Sequence, residues 1–192
     1  MKKIISGKLV YFRNLTLKDI DNGWLDWVNN KDVIKYMPYV NQYKKKDLIA
    51  YLKENKLPHS KVFAICLLNN RYIGNARISS IDKKNGTAIY GRLIGEQSSH
   101  GKGIGTEVLN LLATYAFQFL KFRKIYCGVL ANNIPSVKSN LKVGAIKEGV
   151  LKKHVLLGKQ YIDIHYYSIF KSNYKRKKNY LLIDNFITII FF

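Results

Sequence analysis

Short apolar runs rich in β-branched and aromatic residues dominate the first half of the chain. Residues 8–15 (KLVYFRNL), 61–68 (KVFAICLL), 71–81 (RYIGNARISSI) and 87–94 (TAIYGRLI) each read as a strand. The last three are joined through Asn69 and Asn70 and through 82–86 (DKKNG), turn-formers that reach positive φ. That predicts an antiparallel meander. Gly74 and Gly91, inside two of these strands, mark bulges or a close backbone approach. Before the meander, Thr16 is placed to cap a helix, with Asp19 three residues on. Leu17, Ile20, Trp24, Leu25, Trp27 and Val28 supply its apolar face. Residues 47–56 form a second helix, ending before Pro58.

From residue 104 the period lengthens. Positions 104, 108, 111, 112, 115, 116, 119 and 120 are apolar, predicting a long helix over 104–122. Residues 124–130 (KIYCGVL) follow as a buried strand, then a short helix over 135–143 ended by Gly144. Residues 145–157 and 160–170 make a final hairpin, turning near Gly158 and Lys159. The pattern is α/β with a mostly antiparallel sheet. No internal repeat or linker divides the core.

Between the strand at 87–94 and the long helix lies the run Ser99, His100, Gly101, Lys102, Gly103, Ile104, Gly105, Thr106. Glycines at alternate positions let backbone N–H groups turn inward without side-chain obstruction. The helix start adds unpaired N–H groups and the positive end of its dipole. Together these predict a pyrophosphate cradle, with the charge of Lys102 beside it. The GxxxxGK[ST] loop of nucleotide triphosphatases is absent. The dinucleotide pattern GxGxxG fails because position 106 is Thr and an antiparallel meander precedes it.

Charge and cysteine usage narrow the picture less. With 192 residues and 47% hydrophobic content the chain can build one core. Thirty-three Lys plus Arg against 12 Asp plus Glu give +21. This favours anionic partners and disfavours a polyamine, although a general bias toward Lys, Asn, Ile and Tyr explains the charge equally well. No basic run interleaved with aromatics points to specific nucleic-acid recognition. Cys66 and Cys127 sit in apolar strands without CxxC spacing, and the four histidines show no ligand spacing. Buried thiols in a reduced compartment, and no metal, are the expectation. The first residues lack the apolar core of a signal peptide, so a cytoplasmic protein is expected.

Three segments together resemble the GNAT superfamily of N-acetyltransferases. His100-Gly101-Lys102-Gly103-Ile104-Gly105 is similar to the family's (Gln/Arg)-x-x-Gly-x-(Gly/Ala) cofactor motif, with His in first place. Asn133, Pro135 and Ser136 with Gly144 and Ala145 resemble its Asn-x-x-(Ser/Ala)…Gly-Phe segment. Residues 148–151 with 158–163 resemble the last hairpin of the branch containing ribosomal-protein and nucleotide-amino-sugar acetyltransferases. The likeness covers residues 7–170, implying a GNAT domain over 1–170 and a tail over 171–192.

The resemblance implies a sheet that splays between its fourth and fifth strands, with acetyl-CoA in the split. Backbone at Leu93, Ile94 and Gly95 would pair with pantetheine, and an amide there would steady the oxyanion. His100, Gly101, Lys102, Gly103, Ile104, Gly105 and Thr106 would hold the pyrophosphate. Asn133 and Ser136 would face the pantetheine and sulfur; their spacing independently puts them on one side of the short helix. The family's Tyr, four residues beyond Ser136, is Asn140 here. Carboxylates found elsewhere in the family are replaced by Ile89 and Val155. His154 is then the remaining candidate base, or an ordinary strand residue. Tyr90 and Arg92, two apart on one strand face, are candidates for the acceptor pocket, Arg92 for an acceptor phosphate. Trp24 either walls that pocket or packs in the core. Asp163 either orients His154 or contacts the acceptor, or simply pairs across the hairpin.

The expected reaction is direct attack of an amine on the acetyl thioester. The acceptor expected is the amino group of a nucleotide-linked amino sugar in surface glycan biosynthesis. The alternatives are a ribosomal-protein N-terminus, or no acceptor at all in a catalytically lapsed acyl-CoA-binding module. After residue 170 comes a basic cluster (Lys171, Lys175, Arg176, Lys177, Lys178) and then an apolar end. It is too short to span a bilayer. It is expected to dock on the core or on a second subunit's edge, with peripheral membrane contact the less favoured outcome.

Overall fold

A computed structural model describes residues 2–37 and 42–174, together with the backbone of 181–182. Strands β1 (Lys3–Ser6) and β2 (Val10–Asn14) open the chain. The segment expected as one strand over 8–15 is thus preceded by a short strand that pairs with it. The first expected helix is interrupted. A helical turn over Ile20–Trp24 breaks at Asn22 and Gly23, where Gly23 takes φ 110, before α1 (Leu25–Asn29) and α2 (Lys31–Ile34). Helix α3 (Lys45–Glu54) precedes the meander β3 (Lys61–Leu67), β4 (Tyr72–Asp82) and β5 (Thr87–Ile94). Then come α4 (Ile104–Gln118), β6 (Lys124–Leu130), α5 (Ile134–Lys142), β7 (Ile146–Leu157), β8 (Gln160–Phe170) and β9 (Leu181–Leu182).

All the strands join one sheet in the order β7-β8-β6-β5-β4-β3-β2-β1-β9. Among the described residues only β5 and β6 are parallel, and every other neighbouring pair is antiparallel. The tail's residues 181–182 pair with Ile5 and Ser6 on the edge of β1, and the remainder of its apolar end lies outside the described residues. The α/β architecture read from the sequence is the observed one.

Two apolar clusters cover the two faces of the sheet. Phe12, Phe63, Ile65, Ile78, Ala88 and Tyr90 pack on one face against α4. Tyr11, Ala64, Cys66 and Tyr72 pack on the other against Trp24, Val28 and Leu48. Burial on both sides explains why β3 reads as a continuous apolar run instead of an alternating one. Near α1, Asp19 accepts both fork nitrogens of Arg13 at 2.8 and 2.6 Å and also the Thr16 N–H and hydroxyl. Thr16 and Asp19 therefore lie at a helix start, but the Thr16 hydroxyl donates to the buried Asp19 carboxylate and does not cap the helix.

The β5–β6 ladder stops early. Thr87, Ala88 and Ile89 pair with Lys124, Ile125 and Tyr126, and no pair follows. Beyond that point β5 continues along β4 to Ile94, while β6 continues along β8 to Leu130. The sheet opens between the fourth and fifth of the strands expected from sequence, which are fifth and sixth once β1 is counted.

Candidate active site

The split opens into a cleft of about 1490 Å³ that runs through the sheet from one face to the other. On the α4 face its floor is the glycine loop. Gly101 and Gly103 take φ 77 and 79, a left-handed conformation that other L-residues rarely adopt. The backbone N–H groups of Gly101, Lys102, Gly103, Ile104 and Gly105 meet no protein acceptor among the described residues, whereas those of Thr106 and Glu107 both reach Gly103 O. Five neighbouring donors at the start of a 15-residue helix fit a phosphate. His100 pins the loop to the strand, its Nε2 lying 2.9 Å from Ile94 O. A carbonyl can only accept, so that nitrogen carries the proton.

His100, Gly101, Gly103, Ile104, Gly105 and Thr106 line the cleft, as do Leu93 and Ile94. Lys102 is exposed and does not line it. Gly95 also stands apart. Its N–H donates to Ile73 O at 2.9 Å, so it is not available as an oxyanion donor. A Cβ at Gly95 would fall 1.9 Å from the Trp27 ring. The Trp27 indole occupies the space that a side chain at Gly95 would need.

Helix α5 forms the opposite lip. Asn133 caps it, its Oδ1 accepting from Ser136 N at 3.2 Å, and Pro135 sits in its first turn. Asn133 and Ser136 both line the cleft, and the Ser136 hydroxyl has no protein partner among the described residues. Two side-chain bonds span the opening from β5 to α5. Tyr90 donates its phenol proton to Asn140 Oδ1, and Arg92 donates to Ser139 Oγ. Asn140 Nδ2 in turn donates to Ser136 O at 2.9 Å. Burial, then neighbouring Cys127, pushes the Tyr90 phenol far above its ordinary range, so it stays protonated. Burial likewise raises the Cys127 thiol, whose Sγ lies 3.8 Å from Asn140 Oδ1.

The other face is aromatic. Trp24 is 4% exposed, meets Tyr51 edge-on at 5.7 Å and lines the cleft, so it serves both as core and as wall. Tyr36 and Tyr43 line the same side, with Arg77 and Lys35 as its cations. Arg77 escaped the sequence reading. Its signal was present, since it occupies a strand position facing away from core residues Ala76 and Ile78. Asp32 is the sole carboxylate among the described residues that line the cleft.

The acceptor-side candidates are thus divided by the sheet. Trp24 lies on the α1 face, while Tyr90 and Arg92 lie on the α4 face. His154 and Asp163 lie outside the cleft lining altogether. The reason is a bulge in β7: register shifts between Leu151 and Val155, and Lys153 takes φ 46. Asp163 closes this bulge, accepting Lys153 N at 2.8 Å and Lys152 Nζ at 3.1 Å. These contacts, backbone first, hold its carboxyl below the usual range. Val155 then faces inward, 6% exposed, and His154 faces solvent.

Residues 10–146 match the acetyltransferase (GNAT) domain family. The chain is 28% identical over 167 residues to an uncharacterized N-acetyltransferase, p20, of Bacillus licheniformis, covering 84% of this chain and 93% of that protein. Among solved structures it resembles the spermidine N-acetyltransferase of Vibrio cholerae in complex with CoA and spermine. That likeness has a TM-score of 0.77 at 22% identity and covers 86% and 97% of the two chains. It also resembles the RimJ protein of Mycobacterium smegmatis in complex with CoA-disulfide, with a TM-score of 0.77 at 18% identity and coverage of 90% and 91%.

Proposed function

This chain belongs to the GNAT family of acetyltransferases, and from that premise we propose that the amine it acetylates is carried on a nucleotide-linked sugar for surface glycan synthesis. It is an acetyl-CoA-dependent N-acetyltransferase, the cosubstrate supplying an activated acetyl thioester. The observation that carries the acceptor assignment is the make-up of the α1 face. Tyr36 and Tyr43 offer stacking surfaces, with Trp24 and Tyr51 packed behind them, and Arg77 and Lys35 offer cations for a diphosphate. Asp32 alone would attract an ammonium. A polycation such as spermine, bound in the Vibrio cholerae structure, would meet repulsion there.

Acetyl transfer forms a C–N bond at the carbonyl carbon and breaks the C–S bond. One proton leaves the amine nitrogen and one reaches the departing sulfur. Ser136, with an unengaged hydroxyl in the cleft, is the donor nearest that role, and the Asn133 side chain lies beside it at the head of α5. Asp32, the carboxylate among the described residues lining the cleft, is the group available to take up the amine proton, directly or through water.

The test offers purified protein and acetyl-CoA with three acceptors in parallel: a nucleotide amino sugar, a ribosomal-protein N-terminal peptide and spermidine. Release of free thiol with the nucleotide sugar is expected. Release with the peptide or spermidine alone would overturn the assignment, and no release with any would point to a module that binds acyl-CoA without turning it over.

A further inference from the structure

Arg92 stands where a cation has little to stabilise it. Its Nε lies 3.5 Å from the position a Cβ on Gly105 would take, so the guanidinium rests against the first turn of α4. That turn carries unpaired N–H groups and the positive end of the helix dipole. The side-chain partner of Arg92 is the neutral hydroxyl of Ser139 on α5. No carboxylate ion-pairs with it among the described residues. Buried acids near the loop are engaged elsewhere: Glu107 accepts Leu9 N and Val10 N at 2.6 and 3.0 Å. Burial lowers the guanidinium's pKa, with Tyr90 and Cys127 opposing. Two sources of positive potential therefore share one wall of the cleft without a counter-charge, an arrangement that costs free energy until an anion arrives.

We infer that Arg92 is a ligand of the pyrophosphate of acetyl-CoA, completing an anion site whose other half is the unpaired N–H row of Gly101 to Gly105. A guanidinium has donors enough to keep Ser139 and still take a phosphate oxygen. Arg92 then ties β5, α4 and α5 together when the cosubstrate is bound, and the acceptor side is left to Arg77 on the opposite face. The inference rests on the family's cosubstrate and is independent of which amine is acetylated.

The test is calorimetric and needs no acceptor. CoA, dephospho-CoA and inorganic pyrophosphate are titrated into wild type, Arg92→Gln and Arg92→Lys, with thermal melts confirming that each variant is folded. Arg92→Gln is expected to weaken CoA and dephospho-CoA alike by at least about tenfold, the loss of about 1.4 kcal/mol. It should also weaken competition by pyrophosphate to a similar degree, with Arg92→Lys recovering part of both. CoA affinity within twofold of wild type in Arg92→Gln would overturn the inference and return Arg92 to the acceptor. Should Arg92→Gln prove unfolded, Arg92→Lys decides alone: unchanged pyrophosphate competition in it, at every ionic strength, sinks the idea, since an ammonium cannot reproduce the guanidinium fork.

Discussion

The phenol of Tyr90 donates its proton to the side-chain oxygen of Asn140, joining β5 to α5 just past the last backbone pair between β5 and β6. Many members of the family carry a Tyr at the position of Asn140, so this chain reaches the same neighbourhood with a phenol from the opposite lip. Asn140 relays the contact to Ser136 O. The two residues should behave as one unit. Tyr90→Phe and Asn140→Ala are each expected to cost about 1–3 kcal/mol in urea unfolding, because a buried polar partner is stranded. The double variant should cost less than the sum, and strict additivity would contradict the coupling. Since burial holds the Tyr90 proton on, the coupling should be equal at neutral and mildly alkaline pH.

Arg13 and Asp19 form a buried pair, each side chain 3% exposed. Burial raises the Asp19 carboxyl, but hydrogen bonds from Arg13 and Thr16 outweigh it and the net shift is downward from 3.8. A depressed carboxyl contributes stability above its unfolded value and loses it as pH falls through the folded one. Thermal melts between pH 6 and pH 2 should therefore show a steep loss in the acid limb. Asp19→Asn should flatten that limb and cost about 3–5 kcal/mol at neutral pH, having left Arg13 buried without its counter-charge.

Glu107, in the first turn of α4, accepts the N–H groups of Leu9 and Val10 and so fastens the cosubstrate helix to the start of β2. Its side chain also fills the space above Gly7, where a Cβ would lie 2.3 Å from Oε1. Glu107→Ala strands two backbone donors and is expected to lower unfolding free energy by about 2–4 kcal/mol. Gly7→Ala should cause part of the same loss by displacing the carboxylate. Urea titrations of the two variants check this.

The parts of the site that backbone builds were legible in the chain. Alternating glycines before an apolar helical stripe can do little else than free N–H groups, and the loop at 101–105 does so. Side-chain direction was less legible, since it depends on bulges. Period-two alternation cannot foresee the irregularity between Leu151 and Val155, which turns His154 to solvent. His154→Ala should accordingly leave turnover unchanged. Nor does alternation say which face of a sheet buried on both sides belongs to which ligand. Tyr90 and Arg92 do share a face, but it is the α4 face, and Arg77 is the cation opposite. The break at Gly23 (φ 110) was likewise hidden, because the apolar positions on either side of it keep helical spacing.

Trp27 and Gly95 share one space, which leaves no room for a side chain on the glycine. The Trp27 indole lies against Tyr72 at 4.8 Å, and a methyl group on Gly95 would sit 1.9 to 2.3 Å from its ring atoms. The strand end cannot yield, because Gly95 N–H and Glu96 N–H both donate to Ile73 O. The indole must move instead, and Trp27 shares α1 with Val28, which lines the cleft on the face proposed for the acceptor. Gly95→Ala should therefore red-shift tryptophan emission, lower stability by about 1–3 kcal/mol and raise the KM for the acceptor. CoA affinity should change far less, since the loop at 101–105 is untouched. Fluorescence and CoA calorimetry on one sample separate these effects: a large loss of CoA binding with unshifted emission would return Gly95 to the cosubstrate site.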